Sequence, residues 1–223
     1  MIHAIVFDFD GVLADSEPLH LRAYQKVFES LGATLTREEY YTQYLGFDDE
    51  GVFRAAGDAN GWTFDTRQLQ VLIEDKSRVL EGLVSVGGVL YPGAIECITR
   101  MAAEFPLGIA SGSLRHEIET ILRAEGLDRY FRFIVGSGDT QQSKPEPDPY
   151  RRAAELHGLP PAACVAIEDS RWGIESAKAA GLRCVGITHT YPRHELSAAD
   201  AVIDRLADFT PDLIRSLTAR RNK

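Results

Sequence analysis

The chain has 223 residues, 44% of them hydrophobic and 26% charged, which is the composition of a globular protein with a sizeable buried core. Its net charge of −9 and its pI of about 5.2 argue against a nucleic acid or an anionic membrane as partner, because both require a basic surface. We see neither a signal peptide nor an apolar run that could span a bilayer, so we expect a cytoplasmic protein. The three cysteines lie far apart and indicate reduced thiols rather than disulfides or a zinc site: Cys97, Cys164 and Cys184.

The first predicted element is a buried strand over Ala4 to Phe7, where four apolar residues follow one another. Asp8 comes directly after this strand, and Asp10 and Gly11 follow after one more aromatic residue. Taken alone, the two carboxylates could have a chemical role, and they could equally well be solvated residues at the start of a loop.

Residues 15–89 contain only helical patterns. The first pattern begins with Ser16 as a capping residue and Pro18 in the first turn, and a glycine ends it. Three more helical patterns follow without a strand between them, over residues 36–46, 49–61 and 65–83. We therefore predict an all-helical insert at 15–89, within an α/β core made of residues 1–14 and 90–223.

In the second half of the chain, short apolar runs alternate with helical patterns. The predicted strands lie within residues 106–113, 131–139, 164–170, 183–189 and 199–204, and the predicted helices are 114–126, 148–158, 171–181 and about 206–217. Continuously apolar strands that alternate with helices of about 10 to 15 residues indicate βαβ units. The predicted core is therefore a doubly wound, Rossmann-like parallel sheet.

Carboxylates follow two of the predicted strands at their carboxyl ends, which is where open parallel sheets bind ligands. Asp8 and Asp10 follow the first strand, and Glu168 and Asp169 follow the strand that begins at about residue 164. Four carboxylates in one crevice repel each other unless a cation lies between them. The sequence therefore predicts a hard cation with oxygen ligands, most plausibly Mg²⁺.

A lysine and a hydroxyl group are predicted at the same edge of the sheet. Ser111 and Gly112 follow the second predicted strand, and Lys144 follows the third. The helix that starts at Ser113–Leu114 adds backbone N–H groups without partners. These groups suit an anion beside the metal, and together they indicate a phosphoryl site.

Four segments resemble, in this order, the motifs of the haloacid dehalogenase superfamily: "DFDGVLADSE", "ASGS", "SKPEPDPY" and "IEDS". The resemblance covers nearly the whole chain and is greatest to the phosphatase and phosphoglucomutase branch. It implies that the helical insert is a cap domain inserted after the first motif.

The resemblance also implies a role for each matching residue. Asp8 would be the nucleophile that forms an aspartyl-phosphate, and Asp10 the general acid and later the general base. Lys144, with Ser111 and Gly112, would hold the phosphoryl oxygens.

The same resemblance implies how the metal is held. Mg²⁺ would bind to the Asp8 carboxylate, the Asp10 carbonyl and Asp169, with Glu168 beside them. The implied function is a Mg²⁺-dependent phosphatase that acts on a small phosphate monoester, a sugar phosphate or a compound like phosphoglycolate. We expect a monomer or a weak homodimer.

Three other functions stay open at this point. A β-phosphoglucomutase is the first, because His20 and Lys76 match residues of the mutase cap. Together with Asp49, these two residues are possible contacts to the substrate. Asp49 argues against it, since the mutase carries an arginine at this position, three residues after Gly46. A haloacid dehalogenase is weaker, because that branch needs no metal and generally lacks the second aspartate. The third is a non-catalytic protein that binds a phosphorylated metabolite.

Overall fold

The computed structural model describes residues 1–45, 47–84 and 89–219. The chain forms two compact units, the core unit of Met1–Asp15 with Val89–Lys223 and the helical unit of Ser16–Gly88. Gly46, at the end of one predicted helix, and residues 85–88 of the predicted insert lie outside the described residues.

The core unit begins with the first strand, β1 (Ala4–Phe7), after which the chain enters the helical unit. The described helices of that unit are α1 (Glu17–Ser30), α2 (Arg37–Glu39, continued by a π-helical turn over Tyr40–Tyr44), α3 (Asp49–Asn60) and α4 (Thr66–Val84). Their ends follow local capping chemistry. Thr36 and Glu39 form a reciprocal capping box, and the Asp48 side chain accepts a hydrogen bond from the Gly51 N–H at 2.8 Å.

The prediction that Ser16 caps the first helix is wrong. Its side chain makes no capping hydrogen bond, and its backbone has helical dihedral angles rather than the extended conformation of an N-cap residue. The helix begins with Glu17 and Pro18, and proline suits this position because its fixed φ is already helical.

The remaining strands of the core unit are β2 (Leu107–Ala110), β3 (Phe131–Val135), β4 (Cys164–Glu168), β5 (Arg183–Ile187) and β6 (Ala201–Ile203). All pairings are parallel, in the order β3-β2-β1-β4-β5-β6. The predicted doubly wound α/β fold is confirmed. This order has its switch point between β1 and β4, where the connections diverge, and that is where such sheets bind ligands.

The helices of the core unit are α5 (Ala94–Ala102), α6 (Arg115–Ala124), α7 (Asp148–His157), α8 (Arg171–Ala180) and α9 (Pro211–Ala219). The prediction that the last helix starts at about Leu206 is wrong, because Leu206–Asp208 is a separate 3₁₀ turn. Pro211 disfavours a helical conformation at the residue before it, and the Leu213 N–H donates to the Thr210 hydroxyl at 3.2 Å.

The chain leaves and re-enters the core unit at one place. The Asp15 N–H donates to the Val89 carbonyl at 2.7 Å, and Ala14 forms a β-bridge with Leu90. The two connections to the helical segment therefore run side by side. None of the helices in the described part of the chain is both long and apolar enough to cross a membrane. The three cysteines are buried and free.

The core unit buries one histidine without satisfying its ring. His157, in the last turn of α7, is 9% exposed, and its ring packs edge-on against Phe133 at 4.6 Å between centroids. Neither ring nitrogen has a partner with good hydrogen-bond geometry among the described residues. Burial lowers the pKa of His157, and a weaker contact with the Ile5 backbone opposes this only in part.

We expect this histidine to make the fold sensitive to acid. The unfolded chain takes up a proton near pH ~6.5 and the folded chain only at lower pH, so stability is full above this value and falls below it. His157→Leu should lose less unfolding free energy between about pH 7.5 and 5 than the natural chain does, as measured by urea unfolding. The exposed His194→Leu is the control and should follow the natural chain. Equal losses in all three proteins would contradict the prediction.

Candidate active site

Three carboxylates lie together at the switch point of the sheet. Asp8 follows β1, Glu168 is the last residue of β4, and Asp169 follows it; they are 8%, 0% and 6% exposed. One oxygen atom of each lies within 4.8 Å of the others. The Asp8 N–H donates to the Ile167 carbonyl at 3.0 Å, which holds the ends of the two strands in register. Three buried carboxylates at this distance require positive charge nearby.

Lys144, in the segment between β3 and α7, supplies part of that charge. Its Nζ donates to Asp8 Oδ1 and to Glu168 Oε1, both at 2.7 Å. Burial alone would lower the pKa of Lys144, but the charges of Asp8 and Glu168 outweigh it and raise that pKa above its usual value. Burial, together with Glu168, raises the pKa of Asp8 well above its usual value although Lys144 opposes this. One lysine offsets one of three carboxylates, so the site fits a divalent cation with oxygen ligands.

The Asp10 side chain, after β1, forms hydrogen bonds with two serines that follow β2. Its Oδ2 accepts hydrogen bonds from the Ser111 hydroxyl at 3.2 Å and from the Ser113 hydroxyl at 2.6 Å. Because the Ser111 hydroxyl has a single proton, it has to rotate away from Asp10 before it can donate to a phosphoryl oxygen. Ser113, which the sequence analysis treated only as a helix start, makes the shorter of the two contacts to Asp10. Gly112 has open space where a side chain would begin.

Glu168 is held by groups that the sequence analysis did not assign. The Tyr150 hydroxyl donates to Glu168 Oε1 at 2.7 Å, and the Ser170 hydroxyl donates to Oε2 at 3.2 Å. Gly173, in the first turn of α8, lies so close that a Cβ there would overlap the Glu168 carboxylate. The only signal in the sequence was that Tyr150 lies at the end of the third motif.

The turn after β1 also depends on close contacts. Gly11 has φ of +76°, and a Cβ at this position would overlap the Asp169 carboxylate, so glycine is required both for its conformation and for its size. His189, after β5, places its Nδ1 3.0 Å from the Gly11 carbonyl and stacks on Tyr91 with ring centroids 4.1 Å apart. The sequence analysis found no signal for His189 or Tyr91.

The three candidate residues of the helical unit are all largely buried. Lys76 is fully buried on α4, and its Nζ lies 3.0 Å from Asp49 Oδ1 at the start of α3. The Tyr24 hydroxyl donates to the same Asp49 oxygen at 2.5 Å. His20 is buried on α1. The structure thus brings Asp49 and Lys76 together as an ion pair, and a role of all three residues in substrate binding stays a prediction.

Comparison with known proteins adds independent observations. A family model described as haloacid dehalogenase-like hydrolase matches residues 5–187. The chain is 33% identical over 207 residues to the protein CbbY of Rhodobacter capsulatus, covering 89% of this chain and 91% of that protein. It is 28% identical over 236 residues to phosphoglycolate phosphatase of Escherichia coli, covering 95% and 92%. A solved structure of a CbbY variant from Rhodobacter sphaeroides in complex with xylulose-1,5-bisphosphate has a TM-score of 0.85 and 31% identity, covering 93% of this chain and 96% of that one.

Proposed function

The chain belongs to the haloacid dehalogenase-like hydrolases and is a phosphoric monoester hydrolase, and we propose that it acts with Mg²⁺ through an aspartyl-phosphate on Asp8. The observation that carries this proposal is the hydrogen bond from Lys144 to Asp8 within a group of three buried carboxylates. A buried carboxylate held at the end of a central strand is oriented before the substrate arrives, which is what a nucleophile requires.

The first step we propose is attack by an Asp8 carboxylate oxygen on phosphorus. The bond between phosphorus and the leaving oxygen breaks, and that oxygen takes a proton from Asp10. Two serine hydroxyls hold the Asp10 carboxylate in place by donating to its Oδ2. In the second step Asp10 takes a proton from water, which attacks phosphorus and releases phosphate, and the Asp8 carboxylate is restored.

The positive charge of the site serves the phosphoryl group as well as Asp8. Lys144 is fixed by two carboxylates, so its charge needs no reorganisation when charge develops on the phosphoryl oxygens. We propose that the Ser111 hydroxyl and the backbone at Gly112 also bind these oxygens.

The three buried carboxylates, offset only in part by Lys144, fit Mg²⁺. Asp8, Asp169 and the Asp10 carbonyl would hold the ion, with Glu168 beside them. When bound, Mg²⁺ supplies charge that offsets the carboxylates and the phosphoryl oxygens.

The proteins to which the chain is similar act on or bind small phosphorylated metabolites, as their names state, and we propose a substrate of this class. We further propose that His20, Asp49 and Lys76 contact the leaving group. Asp49 offsets the charge of Lys76, and the neighbouring Asp48 adds negative charge, whereas Glu50 is paired with Arg54 at 2.7 Å. A second phosphate at this place would be repelled. We therefore propose a substrate with one phosphate, whose leaving group is neutral or hydroxyl-rich at the end that lies near these residues.

A screen of phosphorylated metabolites with Mg²⁺ tests the function, with phosphate release as the readout. We expect release from monoesters, and a kcat/KM at least about tenfold higher for a sugar monophosphate than for the bisphosphate of the same sugar, because the bisphosphate brings a second dianion. The screen includes β-glucose 1-phosphate primed with glucose 1,6-bisphosphate. Formation of glucose 6-phosphate faster than phosphate release would replace the phosphatase proposal by the mutase. No release from any monoester would refute the proposal.

A further inference from the structure

Tyr150 is a buried residue at the active site that has no assigned role in the reaction. We propose that it is a positioning residue: its hydroxyl fixes the Glu168 carboxylate and, through it, the Lys144 ammonium group beside Asp8. The inference rests on the proposed function for its effect on the reaction, whereas the effect on Lys144 can be measured without any substrate.

Three contacts connect Tyr150 to Asp8. The Tyr150 hydroxyl donates to Glu168 Oε1, the same Oε1 accepts a hydrogen bond from Lys144 Nζ, and that Nζ donates to Asp8 Oδ1, each at 2.7 Å. Lys144 Nζ also lies 5.0 Å from the centroid of the Tyr150 ring, within the range of a cation–π interaction. Tyr150 thus contacts both members of the ion pair that orients the proposed nucleophile.

The surroundings of Glu168 explain why a hydroxyl is needed at this place. The carboxylate is fully buried, so solvent cannot satisfy its oxygens, and Oε1 has Tyr150 and Lys144 as donors. A tyrosine hydroxyl carries its proton at neutral pH and a carboxylate oxygen can only accept, so Tyr150 is the donor in this contact. Without the hydroxyl, Oε1 depends on Lys144 alone. Lys144 then shifts toward Glu168, and its contact with Asp8 weakens.

Tyr150 also belongs to the apolar core beneath the sheet, together with Val6, Ala110 and Ile174. Its ring therefore has a packing role that any aromatic residue of the same size can fill. Tyr150→Phe keeps the ring and removes only the hydroxyl, so it separates the two roles. Tyr130→Phe is the matched control, because the Tyr130 hydroxyl contacts Arg129 before β3 and has no part in the proposed mechanism.

The experiment combines kinetics with a spectroscopic readout. We expect Tyr150→Phe to lower kcat by roughly 10- to 100-fold, as for a lost hydrogen bond to a charged group, while KM changes less than about threefold. In protein with isotope-labelled lysine, the buried Lys144 ammonium should give a slowly exchanging NMR signal, assigned by its loss in Lys144→Arg. This signal should shift or broaden in Tyr150→Phe and stay unchanged in Tyr130→Phe.

Each outcome decides the inference. An unchanged Lys144 signal and an unchanged kcat in Tyr150→Phe would show that the residue serves packing alone. If Tyr150→Phe does not fold, the inference is tested on the natural chain by the Lys144 NMR signal. The absence of a slowly exchanging signal would show that Lys144 is not held in place and would overturn the inference. If the natural chain hydrolyses no monoester, the proposed function fails, and the NMR comparison still tests whether Tyr150 positions Lys144.

Discussion

Asp8→Asn is expected to lower kcat for phosphate release by more than about 10⁴-fold, beyond the roughly 10²–10⁴-fold loss of a general acid. An amide nitrogen or oxygen cannot replace the carboxylate as a nucleophile, so the aspartyl-phosphate cannot form. The substitution keeps the size of the side chain and removes one of three buried negative charges. The variant should therefore unfold at a temperature no lower than that of the natural chain.

Two measurements check this expectation. Single-turnover assays give the residual rate, and calorimetry with beryllofluoride and Mg²⁺ should show binding to the natural chain and none to Asp8→Asn. Asp212→Asn, at a side chain that is 92% exposed, is the control and should behave as the natural chain. Substantial phosphatase activity in Asp8→Asn would show that the covalent mechanism is wrong.

Asp169→Ala is expected to raise the Mg²⁺ concentration needed for half-maximal activity by at least about 10- to 100-fold. A loss of metal affinity of this size is typical when a residue that only hydrogen-bonds to a metal ligand is removed. Asp169→Ala removes a proposed ligand together with its charge, so the loss should be at least as large. The smaller side chain leaves space where Asp169 now lies against Gly11, so the turn after β1 is not crowded.

Titration calorimetry of Mg²⁺ into the protein without substrate measures the metal affinity separately from activity. Asp212→Ala, at the same exposed position as before, provides the control. Calcium should inhibit the natural chain, because its larger coordination shell misplaces the attacking carboxylate. Full activity in excess chelator would refute the proposed metal and favour the metal-free chemistry of a dehalogenase.

The sequence predicted the fold and the residues of the strand ends because both depend on local patterns. Continuous apolar runs identify parallel strands, and the carboxyl ends of parallel strands share one edge of the sheet. Lys144 and Asp8 are 136 residues apart in sequence, yet this rule was enough to predict them at the same edge.

The supporting contacts could not be predicted because they depend on packing between distant elements. A tyrosine in the first turn of an amphipathic helix fits a core residue as well as a hydrogen-bond donor, so the pattern alone did not indicate that Tyr150 reaches Glu168. The pairing of Asp49 with Lys76, 27 residues away, depends in the same way on how α3 packs against α4. Ser16 is a favourable cap by residue type, and its backbone conformation excluded that role.

The backbone contact between Asp15 and Val89 has a consequence for how such a chain can diverge. An insertion whose two ends lie side by side leaves the strands on both sides in place, whatever its length or internal structure. The 16–88 segment can thus be exchanged for a different one without altering the register of β1 with β2 and β4. Selection can then act on the exchanged segment independently of the residues at the strand ends, so the segment can change while the chemistry proposed for the strand ends is inherited.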